Sequence, residues 1–145
     1  MSARAFRLMT PAVLLLALCT ALPLAAQKSK AKEPTYDDKP LSFWIKELKA
    51  TAPQSRNAAA YAISGMGAEG KPAVPALMAA LSNPTEQNVV RFPILVALRE
   101  IGPDGKAALP AIEPFLDDRN DEIAAMARKA VKSITGTDPR PPADD

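Results

Sequence analysis

Residues 71–77 read KPAVPAL and residues 106–112 read KAALPAI, the same short phrase 35 positions further along. Sliding the chain against itself by that shift aligns Lys71 with Lys106, Ala73 with Ala108, Val74 with Leu109, Pro75 with Pro110, Leu77 with Ile112 and Leu81 with Leu116. The stretches behind them also correspond: RNAAAYAISGMG from Arg56, RFPILVALREIG from Arg91 and a looser AAMARKAVKSITG from Ala124. Ile63, Leu98 and Val131 align, as do Met66, Ile101 and Ile134, with spacings of 35 and then 33. The two missing residues are placed in the turn near DDRND. Apolar self-similarity at this period points to stacked two-helix units, each of which buries its apolar face only against a neighbour.

The local pattern agrees. Leu41, Trp44, Ile45 and Leu48 fall at i, i+3, i+4 and i+7 and give one apolar stripe over a helix at about 40–50, opened by Pro40. A partner helix over about 54–64 carries Ala59, Ala60, Ile63 and Met66, and Gly65 and Gly67 are expected to end it in left-handed conformations. The second unit pairs about 72–81 with 87–101, stopped by Gly102-Pro103. The third pairs about 106–116 with 121–134, closed by Gly136. Pro75 and Pro110 are expected in the first turns of their helices, where the amide has no internal partner to lose. Pro93 is expected to mark a late start or a kink, and Pro114 to distort the helix that holds it, because an interior proline costs about 3 kcal/mol.

With AVPALMAALSNP followed by VVRFPILVALREIGP, then ALPAIEPFLDD with EIAAMARKAVKSI, residues 41–136 resemble HEAT repeats of the short bacterial type. The opening YDDKPLSFWIKEL resembles the first unit of exported HEAT-repeat proteins. The resemblance implies an all-α fold, a short right-handed α-solenoid of about three helical hairpins, with units at about 40–67, 68–102 and 103–136. It is specific for fold and nearly silent on function, because it consists of core positions and helix punctuation.

Residues 1–26 have the layout of an export signal: Arg4 and Arg7, an apolar stretch from about Leu8 to Leu22, and small residues suiting cleavage after Ala26. The apolar stretch is short for a membrane span and is interrupted by Thr10 and Pro11. Residues 27–39 read as a flexible linker, and residues 137–145, with three prolines, as a disordered tail. Removing residues 1–26 takes away Arg4, Arg7 and Cys19, which leaves sixteen basic against sixteen acidic residues and no cysteine. A neutral domain gives no support to nucleic-acid binding. The chain has no histidine. A histidine-based triad, a thiol nucleophile and an imidazole or thiolate metal site are therefore absent from residues 27–145.

Three groups of side chains remain as candidates. Asp117, Asp118, Asn120, Asp121 and Glu122 offer oxygen ligands, but the glycine a calcium loop needs for its turn is missing. They read instead as a solvated turn and an acidic helix start. Arg56, Arg91, Arg99, Arg128 and Lys132 recur on the second helices, which in HEAT-like stacks line the concave surface. They are either a stripe facing an anionic partner or arginines that bond to neighbouring turns. Among Tyr36, Phe43 and Trp44, Trp44 belongs to the apolar stripe, and Phe43 is the candidate surface aromatic.

The chain is thus read as a non-enzymatic protein-binding or scaffold module, exported to the periplasm or outside the cell, without cofactor or metal. The expected partner is an unidentified protein, with self-association as a second option. Membrane contact is expected only through an uncleaved signal. A structural envelope component without a discrete ligand is the alternative. Some bacterial HEAT-like proteins resemble bilin lyases, which makes a lyase-like activity the remote one.

Overall fold

In the computed structural model residues 32–139 are described. The export signal at 1–26, the linker up to residue 31 and the tail from residue 140 lie outside the described residues.

The chain from Leu41 to Thr135 is helical and repetitive. The first unit holds α1 (Leu41–Glu47) and α2 (Pro53–Gly65). The second holds α3 (Val74–Leu81) and α4 (Asn88–Ile101), and the third holds α5 (Leu109–Ile112) and α6 (Asp121–Thr135). Two seven-residue 3₁₀ segments, Gly67–Ala73 and Gly102–Ala108, join the units at matching places. The second helices form one layer in which α4 packs on α2 on one side and on α6 on the other. That position explains why α4 buries Val90, Pro93, Ile94, Leu95, Ala97, Leu98 and Ile101, far more than one narrow stripe. The buried side chains Ile63, Leu77, Leu81, Leu98, Ile112, Ile123 and Ile134 complete one continuous core.

The prolines act as punctuation. Pro75 and Pro110 each occupy the second position of their helix, where no amide bond is lost. Pro114 has a larger effect: α5 stops at Ile112 and the chain tightens to a 3₁₀ turn over Glu113–Phe115. The single helix expected over 106–116 is therefore a 3₁₀ segment, a short α-helix and another 3₁₀ turn. Pro93 neither delays nor ends α4, which runs unbroken from Asn88. Its missing amide would leave the Val89 carbonyl without its helical donor. The Asn57 side-chain amide, from α2 of the preceding unit, donates to that carbonyl at 2.6 Å.

Two readings at the N-terminal end are corrected. Within the segment read as a flexible linker to residue 39, Thr35–Tyr36 and Lys39–Pro40 pair as an antiparallel hairpin, β1 and β2. Asp37 and Asp38 sit at φ 52° and 57° in its two-residue turn, a conformation that short acidic side chains tolerate. The hairpin is tied to α1. The Leu41 amide donates to the Pro34 carbonyl at 2.9 Å, the Trp44 indole to the Tyr36 carbonyl at 3.2 Å, and the Glu33 carboxylate accepts from the Ser42 amide and hydroxyl at 2.5 and 3.0 Å. Gly65, expected as a left-handed terminator, is instead the last helical residue of α2; only Gly67, at φ 56°, takes that conformation there. Gly65 lies under the Tyr36 ring, which a Cβ would overlap. Gly136 closes α6 at φ 78°, its amide bonded to the Lys132 carbonyl at 2.8 Å.

Candidate functional site

The five cations read either as a stripe or as arginines bonding to neighbouring turns have distinct environments. Arg56 reaches back across the turn of its own hairpin and donates to the Ala50 and Thr51 carbonyls at 2.7 and 2.8 Å. Arg91, its counterpart one unit on, donates to the Asn83 and Pro84 carbonyls at 3.4 and 3.3 Å and lies over the Phe115 ring at 5.3 Å. Arg128 bonds the Leu116 carbonyl at 2.6 Å. The same task, holding the turn between first and second helix, thus recurs in all three units. Each turn leaves carbonyls at the end of its first helix without internal donors, and a long cationic fork from the second helix satisfies them. In the third unit the arginine comes from one helical turn later than the register of Arg56 and Arg91.

Arg99 and Lys132 lie elsewhere. Arg99 pairs with the neighbouring Glu100 carboxylate, through Nε at 2.9 Å and also through Nη2. Lys132 is exposed and stands 3.7 Å from Asp138. The structure therefore separates the five into three turn staples and two residues near the end of the second-helix layer.

Sequence reasoning missed Glu86. It is the one buried charged residue among those described, its side chain 1 % exposed, and it receives Arg56 in a two-point contact of 2.7 and 2.8 Å. It also accepts the Gln87 amide at 2.9 Å. The hydrogen bond from Arg56 holds the Glu86 carboxyl below the usual glutamate range, against the opposing effect of burial, and the same bond raises Arg56. This pair fastens the turn of the second unit to α2 of the first. A lone acid just before a helix carried no sign of a partner 30 residues earlier.

Beside these staples, on the turn edge of the stack, lie two grooves related by the repeat. The first, about 420 Å³, is lined by the Leu48–Thr51 turn, Arg56, Glu86 and the face of α3 at Ala76, Ala79 and Ala80. The second, about 210 Å³, is lined by the Leu81–Pro84 turn, Arg91 and, 35 positions after those alanines, Ala111, Pro114 and Phe115.

The acidic stretch forms a helix start. Asn120 caps α6 by accepting the Glu122 and Ile123 amides at 3.0 and 3.1 Å, and Asp118 accepts the Asn120 amide at 2.8 Å. Phe43 is 37 % exposed, packs edge-on to the buried Trp44 and lies under the Lys39 ammonium at 5.0 Å. On the second helices, Tyr61 of α2 and Val89 of α4 are 46 % and 57 % exposed, and Phe92 and Val96 of α4 are half-buried. Among the described residues no helix is long and apolar enough to cross a membrane.

Residues 55–83, from the start of α2 through α3, match the family model of the PBS lyase HEAT-like repeat. The helical hairpins packed side by side are consistent with HEAT-like repeats. No curated protein matches the sequence.

Proposed function

We propose that this chain, a helical stack carrying a PBS lyase HEAT-like repeat, is a non-enzymatic protein-binding or scaffold module that acts in the cell envelope or outside the cell. The observation that carries the reading is the exposure of large apolar side chains on its second helices. Tyr61 and Val89 stand about half in water, and Phe92 and Val96 are half-buried, on a layer whose core is filled. Large apolar side chains left exposed on such a layer favour a partner that removes them from water. Three of the five second-helix cations bond to turns of the same chain, so a protein partner is favoured over an extended polyanion. The environment of Glu86 also favours binding over catalysis. An arginine fork holds its carboxylate ionised, the opposite of what a proton donor requires. The export signal read in residues 1–26 supports the placement outside the cytoplasm.

The test is affinity capture from the envelope fraction of the native cell, using wild type and the Tyr61→Ser/Val89→Ser variant side by side. One stoichiometric protein is expected with wild type, falling about tenfold in the variant, the effect of roughly 1.4 kcal/mol of lost contact. Equal recovery with both, or recovery of envelope polymer and no protein, overturns the proposal.

A further inference from the structure

The two repeat-related grooves differ in how they are filled: the second is filled from within. At the position of Ala80 it has Phe115, whose ring lies against the Arg91 guanidinium at 5.3 Å, and at the position of Ala79 it has Pro114. In the first groove the same backbone positions carry methyl groups, and the free volume is twice as large, about 420 against 210 Å³. The arginine is still there. Arg56 is 15 % exposed, and its in-plane donors are engaged: Nε and Nη2 by Glu86, Nη1 by the Ala50 and Thr51 carbonyls. What such a guanidinium still offers is its flat face, which takes aromatic rings. The rim adds a charge. Lys49 is exposed and has no ion-pair partner among the described residues, whereas the Arg56 charge is balanced by Glu86.

The geometry points to the first groove as the seat of an aromatic side chain from a partner protein, next to an acidic residue that faces Lys49. The incoming ring takes the place over Arg56 that Phe115 takes over Arg91, bounded by Ala76, Ala79 and Ala80. This inference rests on the protein-binding reading and gives that partner a second, separate point of contact.

The probe is the peptide acetyl-Asp-Phe-Asp-amide, with acetyl-Asp-Ala-Asp-amide as its control, titrated into the ¹⁵N-labelled chain and followed by amide chemical shifts. The phenylalanine peptide is expected to move the amides of Thr51, Ala76, Ala79, Ala80 and Asn83, and the alanine peptide to leave them in place. Ala80→Phe fills the groove as Phe115 does and is expected to abolish those shifts. Lys49→Glu, on the exposed rim and without consequence for the core, is expected to weaken them severalfold. Shifts scattered over the surface, equal shifts with both peptides, or undiminished binding by both variants overturn the assignment. Because the capture experiment depends on Tyr61 and Val89, failure here together with success there removes the groove and leaves the module.

Discussion

Glu86 and Arg56 meet across two units, both largely shielded from water, and the fork geometry of the arginine lets it hold the carboxylate at two points. Replacing Glu86 with Gln keeps the shape and one acceptor but leaves the guanidinium charge poorly matched. The expected loss in urea unfolding at pH 7 is about 2 kcal/mol. Its pH dependence follows from the direction of the shift. The native carboxyl titrates below its unfolded counterpart, so its contribution is fully present above the unfolded value of about 4.3 and is lost as pH falls through the native value. Wild type and Glu86→Gln are therefore expected to differ by a constant amount between pH 6 and 8 and to draw together as pH falls below the unfolded value of about 4.3. A difference that persists undiminished well below that unfolded value would show that the ionised carboxylate is not its source. The residues whose roles are set by nearby backbone were legible in advance: Pro75 and Pro110 in first turns, Trp44 in the core, Gly136 at a helix end. Arg56 was legible as a cation on a second helix. Its partners were not, since Glu86 lies 30 residues away and becomes a neighbour only when the units stack.

At the scale of elements, α4 accepts a proline in its sixth position because a neighbour supplies the missing donor. Pro93 removes the bond to the Val89 carbonyl, and Asn57 of α2 restores it from outside the helix at 2.6 Å. The two features form one device, so the informative quantity is their coupling. Asn57→Ala alone is expected to cost about 1 kcal/mol, the net worth of one hydrogen bond. In a Pro93→Ala background, where the helix recovers its own amide, the same change is expected to cost close to nothing. A double-mutant cycle in denaturant with a coupling below about 0.3 kcal/mol would mean that water serves the Val89 carbonyl as well as Asn57 does. The helices themselves, their order and their pairing were readable from apolar spacing. The continuity of α4 was not, because the remedy for Pro93 comes from another unit. The hairpin of residues 35–40 was hidden for a related reason: polar and short, its strands read as a tether, and they are held by Trp44, Ser42 and the space above Gly65.

The described residues form a near-minimal stack, and its stability is expected to be shared along its length. A helical hairpin of this kind cannot bury its apolar side alone, and about three are needed before the interfaces outweigh the ordering of the chain. Here α4 forms both interfaces, against α2 and against α6, so neither outer unit keeps its contacts if the middle one opens. The chain carries a single tryptophan, Trp44 in α1, which reports on the first unit alone, while circular dichroism reports on every helix. Ile134, fully buried in α6, packs at the other end, with its side-chain carbons beside Gly105. Ile134→Ala creates a cavity there and is expected to cost about 2–5 kcal/mol. If the stack unfolds as one unit, the Trp44 fluorescence midpoint falls together with that of the helical signal, even though the substitution lies two second helices away. A fluorescence midpoint that stays at the wild-type value while the helical signal shifts would instead show that the first unit, clasped by its hairpin through Tyr36 and Glu33, stands without the third. Coincident midpoints are the expected result, because the apolar face of α2 is covered by α4, and α4 keeps its place only while α6 covers its other side.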